Sequence, residues 1–242
     1  MKKYLFLIFV FVVSDAHCET LNINWMVDGS TYAQTTCTLG GDLILPTAPT
    51  KTGYTFRGWT QYTFLEYIES NGTQYIDTGI INVETGSTVE VTYQLSTNNA
   101  DWQAIYGNSN GGSNWFSFTI NGAQQKHSYI YGTWYDISGV VDANKHTIRQ
   151  ESNKFYMDGV LLYTTPYVDF VNYSEMHLFN RYDGYYMSGR IYSAKIYNNG
   201  VLMFDGVPAR NNGDNTIGML DKVSGEFFRN SGTGVFIGGP EL

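Results

Sequence analysis

Paired carboxyl groups are the first chemistry to look for, because hydrolysis of a glycosidic bond needs two of them, one on each side of the bond. Alternate positions of a β-strand place side chains on one face, so Glu-x-Asp-x-Glu is the spacing that would indicate this reaction. The chain contains no such string, and its nearest acidic pairs, Glu66 with Glu69 and Asp142 with Glu151, lack the alternation. The sequence therefore predicts that the chain is not an enzyme. A hydrolase whose carboxylates come from separate strands stays an alternative.

One segment matches a nucleophile motif. Gly107-Asn108-Ser109-Asn110-Gly111 has the Gly-x-Ser-x-Gly spacing, but that elbow needs a strand before it and a helix after it. Here an Asn- and Gly-rich loop and then another strand follow. We interpret the match as a chance occurrence in a loop.

The histidines show no metal-ligand spacing such as His-x-x-x-His. They are His17, His127, His146 and His177. Asp101 and Asp183 leave calcium open as an alternative, but no clustered Asp-x-Asp-x-Asn string supports it. The sequence therefore predicts no metal site and no cofactor.

Aromatic residues beside turns are the candidates for a binding surface. Flat rings stack on the apolar face of a sugar, and amides and charged groups bind its hydroxyls. The predicted ligand-binding residues are Trp102, Tyr106, Asn108, Asn114, Trp115, Arg181, Tyr182, Asp183, Tyr185 and Tyr186, with Trp134 as a further ring. The alternative is that most of these rings pack a core, because 16% of the chain is aromatic. Arg181–Tyr186 is the strongest candidate, since three Tyr in one turn are difficult to bury together.

Composition indicates the fold class and excludes one class of partner. Of 242 residues, 16% are aromatic and only 15% are charged, with 20 Tyr and 26 Gly. Many aromatic and turn-forming residues are typical of an all-β protein, and the length suits one sandwich domain plus a small module. The net charge of −8 argues against a nucleic-acid partner.

The clearest predicted element is a hairpin over His146–Thr165. Asp158-Gly159 lies between two runs of β-forming residues and predicts a type I′ turn, in which both central residues need φ > 0. Ser87–Leu95 alternates apolar and polar residues, as a half-buried strand does. Further strands are predicted at Thr20–Val27, Thr31–Leu39, Trp102–Tyr106, Asn114–Ile120, Gln125–Tyr135, Met176–Asn180, Met187–Tyr197, Val201–Val207, Ile217–Leu220 and Glu226–Phe228. Short strands separated by turns, with no convincing helix, favour a sandwich.

The N-terminus has the features of a secretory signal peptide. Lys2 and Lys3 precede the apolar run Tyr4–Val13, and Ala16 ends a small-residue cleavage site. The apolar run is far shorter than the roughly 20 residues that span a bilayer. We therefore predict cleavage after Ala16, secretion, and no membrane-spanning segment in the mature chain.

Cys18 and Cys37 are the only two cysteines. Both follow the predicted cleavage site and would enter an oxidising compartment, which favours a disulfide between them. The loop-entropy model gives such a bridge a stabilisation of roughly 3 kcal/mol. Lipidation of Cys18 is the alternative, although His17 stands where a lipidation signal normally has Gly, Ala or Ser.

Two resemblances to known families extend this interpretation. In Leu43–Trp59 the string Pro-x-x-Pro-x-x-x-Gly-Tyr-x-Phe-x-Gly-Trp resembles the internalin-type B-repeat (Listeria–Bacteroides repeat) of bacterial surface proteins, over roughly residues 20–60. The second half of that repeat is missing after Trp59, so the repeat is expected to be truncated.

The second resemblance covers roughly Phe64 to Ile237. Its central block is His146, Ile148, Tyr156, Asp158, Gly159 and Val160, followed by Gly189–Tyr197. These residues resemble those of laminin-G-like, concanavalin-A-like jelly rolls. After the predicted signal peptide at 1–16, the resemblances imply a truncated B-repeat-like β module at 17–62 and a laminin-G-like β-sandwich jelly roll at 63–242.

Together these features predict a secreted bacterial binding or adhesion protein, extracellular or in the cell envelope. It would recognise glycan or a cell-surface protein through the rim loops of the sandwich, without catalysis. Two alternatives stay open: the glycan-cleaving hydrolase described above, and a structural envelope component whose exposed strand edges pair between copies.

Overall fold

The computed structural model describes residues 3–5, 9–12, 20–27, 30–38, 44–56, 61–81, 83–98, 100–108, 115–139, 141–181 and 184–242. The chain forms two compact units. The first comprises Met1–Phe64 with Arg210–Thr216, and the second comprises Leu65–Ala209 with Ile217–Leu242.

The first unit is built from short strands. They are β1 (Lys3–Leu5), β2 (Phe9–Val12), β3 (Thr20–Val27), β4 (Ser30–Thr38), β5 (Tyr54–Phe56) and β6 (Tyr62–Phe64). β1 pairs with β5 in parallel, and β2, β3 and β4 form an antiparallel sheet. Its buried hydrophobic cluster consists of Ile23 and Trp25, and the indole N–H of Trp25 donates to Thr35 Oγ1 at 2.8 Å. The two strands predicted here are confirmed, and their predicted turn, Asp28-Gly29, lies outside the described residues.

The second unit contains the remaining strands, except that the last two residues of β21 belong to the first unit. They are β7 (Ile68–Asn71), β8 (Ile76–Asp77), β9 (Val83–Glu84), β10 (Thr88–Leu95), β11 (Gln103–Asn108), β12 (Phe116–Asn121), β13 (Lys126–Tyr131), β14 (Thr133–Ser138), β15 (Lys145–Glu151), β16 (Lys154–Met157), β17 (Val160–Thr164), β18 (Val171–Asn172), β19 (His177–Leu178), β20 (Ser188–Asn198), β21 (Val201–Asn211), β22 (Ile217–Asp221), β23 (Phe227–Phe228) and β24 (Ile237–Gly238). One sheet has the order β14-β13-β12-β11-β19-β8. The larger sheet runs β17-β16-β15-β10-β20-β21-β22-β23, and β7 pairs with β20 and β24.

The two sheets pack face to face on a shared aromatic and aliphatic core. Phe118 of the six-stranded sheet stacks on Phe155 of the larger sheet, with ring centroids 4.9 Å apart. The Tyr106 hydroxyl donates across the interface to Gln150 Oε1 at 2.8 Å. Each inner face is supplied by alternate residues of its strands, as sandwich packing requires. The predicted all-β sandwich is confirmed.

The sequence locates strands correctly where apolar and polar residues alternate clearly and where a turn has characteristic residues. In β10 every second residue is buried, which confirms the strand predicted at Ser87–Leu95. Asp158 and Gly159 have φ of 50° and 79°, as a type I′ turn requires. Asn199 and Gly200 repeat this geometry with φ of 47° and 80°.

One predicted strand is wrong. Gln125–Tyr135 forms two antiparallel strands, β13 and β14, that meet at Gly132 and pair Tyr131 with Thr133. Gly132 has φ of 67°, a conformation that glycine adopts without steric cost. Apolar and aromatic residues continue on both sides of Gly132, so the composition alone does not reveal the turn.

No α-helix occurs in the described parts of the chain. Correspondingly, no described segment is a helix long and apolar enough to cross a membrane.

Candidate functional site

Arg181 lies on the outer face of the six-stranded sheet, directly over Gly107. A Cβ at Gly107 would come within 3.0 Å of Arg181 Cγ and 2.5 Å of Ser117 Cβ. Glycine in a strand often marks such a close approach. The aliphatic part of Arg181 can therefore lie flat against β11 and β12, and its side chain is buried, with 2% exposure.

Aromatic rings surround the Arg181 guanidinium. Its central carbon lies 4.6 Å from the Trp115 ring centroid, 4.7 Å from Tyr185 and 5.6 Å from Trp134. The Trp102 ring meets Trp134 edge-on at 5.2 Å. We call these four rings, Trp102, Trp115, Trp134 and Tyr185, the aromatic cluster. Cation–π attraction between the guanidinium and the ring faces holds the cluster together.

A tight backbone turn positions Arg181 and Tyr185. The Gly184 N–H donates to the Arg181 carbonyl at 2.7 Å, and the Arg181 N–H donates to the Gly184 carbonyl at 3.1 Å. The Ala104 N–H then donates to the Tyr185 carbonyl at 2.6 Å, which attaches the turn to β11. Tyr185 has φ of 60°, an uncommon value for a non-glycine residue. The turn is thus held to the sheet on the side that carries the cluster.

Trp134 is anchored through Asp136 on the same strand. The Trp134 indole N–H and the Ser128 hydroxyl both donate to Asp136 Oδ1, and Lys126 Nζ lies 3.5 Å from Asp136 Oδ2. Burial disfavours the charged carboxylate, but these hydrogen bonds and the lysine outweigh it and lower the pKa of Asp136. A charged Asp136 therefore fixes one edge of the indole.

Two buried polar groups beside Arg181 have no hydrogen-bond partner among the described residues. They are Trp115 Nε1 and Ser117 Oγ. Leaving such a group without a partner costs about 1–3 kcal/mol, so buried polar groups are normally paired. A hydroxyl that entered between the rings would meet both of them.

The outward surfaces of the cluster are accessible. Trp134 is 39% exposed and Tyr185 is 42% exposed, while Trp102 and Trp115 are partly buried. The arrangement therefore combines a rigid, buried cation with ring faces that solvent or a ligand can reach.

The structure brings four of the predicted site residues together: Trp102, Trp115, Arg181 and Tyr185. Tyr106 instead lies in the sandwich core, fully buried. Asn108 is also buried, and its Oδ1 accepts the Phe116 N–H at 2.9 Å, so it links the ends of two strands. Tyr186 is 40% exposed and lies 6.1 Å from the Tyr75 ring. Asn114, Tyr182 and Asp183 lie outside the described residues.

Gly107 and Asp136 were not singled out for the roles they have in the structure. The only signal for Gly107 is its place inside an otherwise strand-forming segment, which indicates a close backbone approach. Asp136 is two residues from Trp134, so alternation places both side chains on one face. No local signal indicates that Arg181 reaches them.

A second polar surface crosses the larger sheet and was not predicted. Register aligns Glu69, Arg190, Gln94 and Lys145 on four adjacent strands, beside a cleft of about 250 Å³. Arg190 Nε donates to Glu69 Oε2 at 2.7 Å, and its guanidinium lies 4.3 Å from the Tyr67 ring. Glu69 and Arg190 are paired with each other, and Lys145 Nζ lies over the Tyr192 ring at 3.8 Å, so this surface is a weaker candidate than the aromatic cluster.

His146 and Asp158, both in the block that resembles laminin-G-like jelly rolls, contact each other. His146 Nδ1 lies 2.7 Å from Asp158 Oδ2, and His146 Nε2 lies 2.9 Å from Asp142 Oδ1. Asp158 Oδ1 also accepts the Thr147 N–H at 2.8 Å. Asp158 therefore both forms the turn and attaches it to β15, which gives this pair a structural role.

The predicted disulfide remains a prediction, and calcium remains an open alternative. Cys37 forms no disulfide with a described residue, and Cys18 lies outside the described residues. Asp101 Oδ1 accepts a hydrogen bond from Asn121 Nδ2 at 2.9 Å, and Asp183 is outside the described residues.

Comparison with known families confirms the repeat. Residues 22–66 match the family model of the Listeria-Bacteroides repeat domain. A search of curated protein sequences finds no match to the chain.

Solved structures similar to this chain are sandwiches of low sequence identity. One is the CBM40 module of the Ruminococcus gnavus IT-sialidase bound to α2,3-sialyllactose, at 16% identity over 55% of this chain and 89% of that chain, with a TM-score of 0.41. Mouse laminin α1 domains LG4-5 share 10% identity over 74% of this chain and 51% of that chain, with a TM-score of 0.43. The carbohydrate-binding module CBM66 from Bacillus subtilis shares 13% identity over 57% of this chain and 93% of that chain, with a TM-score of 0.33.

Proposed function

We propose that this chain is a non-catalytic binding module that recognises glycan through the aromatic cluster around Arg181. The observation that carries the proposal is the grouping of four rings on one outer face, with Trp134 and Tyr185 exposed by 39% and 42%. Rings of this size offer large apolar area at low entropic cost, because each has only two side-chain torsions. A pyranose ring could stack on them while its hydroxyls reach nearby polar groups.

Preorganisation supports this role. Asp136 holds Trp134, and the backbone turn at Arg181 holds Tyr185. Contacts that are already fixed lose little conformational entropy when a ligand binds. The buried guanidinium beneath the rings maintains their spacing.

The non-catalytic part of the proposal rests on how the carboxylates are used. Asp142 and Asp158 both contact one imidazole, and Glu69 is paired with Arg190. These three acids are held by internal partners, which makes them poorly suited to the acid and base roles that a glycosidase needs. Release of reducing ends from any bound polysaccharide would instead support the hydrolase alternative.

Screening on a glycan array, followed by calorimetric titration of the best ligand, tests the proposal. Trp134→Ala and Tyr185→Ala should each weaken binding about 5- to 30-fold, because truncating an anchoring Trp or Tyr costs on the order of 1–2 kcal/mol. Tyr167→Ala is the matched control, since Tyr167 is 68% exposed outside the cluster, and it should bind as the parent does. Unchanged affinity in both cluster variants would refute the assignment.

The B-repeat match and the signal-peptide features support export, so we extend the proposal to a secreted or envelope-bound bacterial protein. The structural alternative also has an observation in its favour. All five residues of β17 are exposed, and this strand ends the order of the larger sheet. Such an edge can pair with another chain.

A further inference from the structure

Three potential metal ligands meet on the six-stranded sheet. Asp77 of β8 pairs directly with His177 of β19, so their side chains project from the same face. Glu175 precedes His177 by two residues, and alternation along an extended chain places it on that face as well. Ligand atoms of Asp77, Glu175 and His177 all lie within 4.8 Å of one another. The register of two strands, rather than a local motif, brings these groups together.

The imidazole is fixed in place. His177 is 4% exposed, and its Nδ1 lies 2.9 Å from Asn180 Oδ1. The Tyr75 ring covers it with a centroid distance of 4.8 Å and an interplanar angle of 32°. A hydrogen bond at one ring nitrogen is the usual way in which the ring of a metal-binding histidine is oriented. Asn180 therefore has the position of an outer-shell partner.

The two carboxylates retain acceptor capacity. Asp77 Oδ1 accepts the Gly79 N–H at 2.9 Å, so its second oxygen can bind a cation. Glu175 is exposed. No Lys or Arg in the described parts of the chain forms an ion pair with either carboxylate. A divalent cation would therefore bring positive charge to two neighbouring acids.

The ligand set indicates which cation. An imidazole nitrogen with two carboxylates suits zinc, whereas calcium takes six to eight oxygens and does not use imidazole. Zinc bonds of about 2.0–2.2 Å bring ligand atoms closer together than the present 4.8 Å limit. Rotation of the exposed Glu175 side chain would close the remaining gap.

We propose that Asp77, Glu175 and His177 form a zinc-binding site with three protein ligands and a solvent-accessible fourth position. The site shares no residue with the aromatic cluster, and titrations with zinc and with glycan test the two proposals separately. Asn180 immediately precedes Arg181, so bound zinc would also restrain the strand that leads into the cluster.

Calorimetric titration of the chelator-treated full chain with ZnCl2 tests this site. The parent should bind one Zn2+ and melt at a higher temperature with zinc than without it, because a ligand that binds only the folded state stabilises it. Glu175→Gln should lower the affinity at least about tenfold while melting normally without metal, since Glu175 is exposed. Glu226→Gln is the matched control, because Glu226 is exposed elsewhere in the same unit, and it should behave as the parent does.

Asp77→Asn is a second test of the zinc site, because the amide oxygen still accepts the hydrogen bond from Gly79 while the negative charge is removed. It too should lose zinc affinity. The proposal is overturned if zinc neither binds nor shifts the melting temperature, or if both variants bind zinc as tightly as the parent does. It is also overturned if CaCl2 raises the melting temperature as much as ZnCl2 does, with the same dependence on Glu175.

Discussion

At the residue scale, Gly107 makes room for the Arg181 side chain. The missing side chain lets Arg181 lie against the sheet, and Arg181 in turn spaces the rings of the aromatic cluster. The position of the exposed rings thus depends on the buried Arg181 guanidinium, and the position of Arg181 depends on Gly107. A change at Gly107 should therefore affect both stability and binding.

Gly107→Ala is expected to destabilise the second unit by about 1–3 kcal/mol, the usual cost of overpacking. Its Cβ would meet Ser117 Cβ at 2.5 Å and Arg181 Cγ at 3.0 Å, and displacement of Arg181 should also weaken glycan binding. Gly139→Ala is the matched control, because a Cβ there comes no closer than 3.4 Å to its nearest neighbour, His127 Nδ1. Denaturant unfolding measures both variants, and equal stability for the two would contradict this role for Gly107.

His146 links stability to pH. Partial burial disfavours its charged form, but hydrogen bonds to Asp158 and Asp142 outweigh burial and raise the pKa of His146, while the pKa values of both aspartates are lowered. A group whose pKa is higher in the folded state stabilises fully below its unfolded pKa of about 6.5. That contribution is lost as the pH rises through the folded pKa.

His146→Gln should therefore destabilise the protein more at pH 6 than at pH 9. The expected difference is about 0.2–1 kcal/mol, the range of solvent-accessible ion pairs. Thermal or denaturant unfolding of parent and variant at the two pH values measures it. A loss that is equal at both pH values, or larger at pH 9, would show that the charge of His146 does not contribute.

At the element scale, the β16–β17 hairpin combines a secure turn with an exposed strand. Asp158 and Gly159 adopt the positive φ values of their turn type, and Asp158 is bonded to the neighbouring strand. β17 itself carries Val160, Leu161 and Leu162 with 40–61% exposure. An apolar edge strand of this kind is a site for pairing between chains.

Leu161→Lys should reduce self-association without loss of stability, because Leu161 is 48% exposed and surface substitutions usually change stability by less than about 0.5 kcal/mol. Light scattering during size-exclusion chromatography over a concentration series measures the effect. Val235→Lys is the control, since Val235 is 78% exposed and lies outside the strands. If the parent is monomeric at every concentration, β17 has no role in assembly.

At the scale of the whole molecule, the chain combines a repeat found by its family model with a two-sheet sandwich. The sandwich presents two separate chemistries on its six-stranded sheet: aromatic rings around a buried arginine, and an imidazole with two carboxylates. Each depends on strands that are distant in sequence. A rigid scaffold with variable outer residues is the usual way such folds acquire function.

Local patterns in the sequence determined much of this architecture. Alternation in Ser87–Leu95 predicted β10, and Asp158-Gly159 predicted its turn, because side-chain period and allowed φ are properties of neighbouring residues. The string in Leu43–Trp59 likewise identified the repeat. The turn at Gly132 was not predicted, because β-forming residues continue on both sides of this glycine.

Only the tertiary structure decided which side chains share a surface. The sequence grouped Tyr106 with Trp102 and Trp115, but the sandwich buries Tyr106 between its sheets. It places Trp115 against Arg181 and Trp102 against Trp134. Asp77 and His177 are separated by about a hundred positions, yet register places them side by side. The physical reason is twofold. The alternation of apolar and polar residues divides a strand into two faces but does not tell which face points into the core. Strand register, in turn, is set by packing between segments that are distant in sequence.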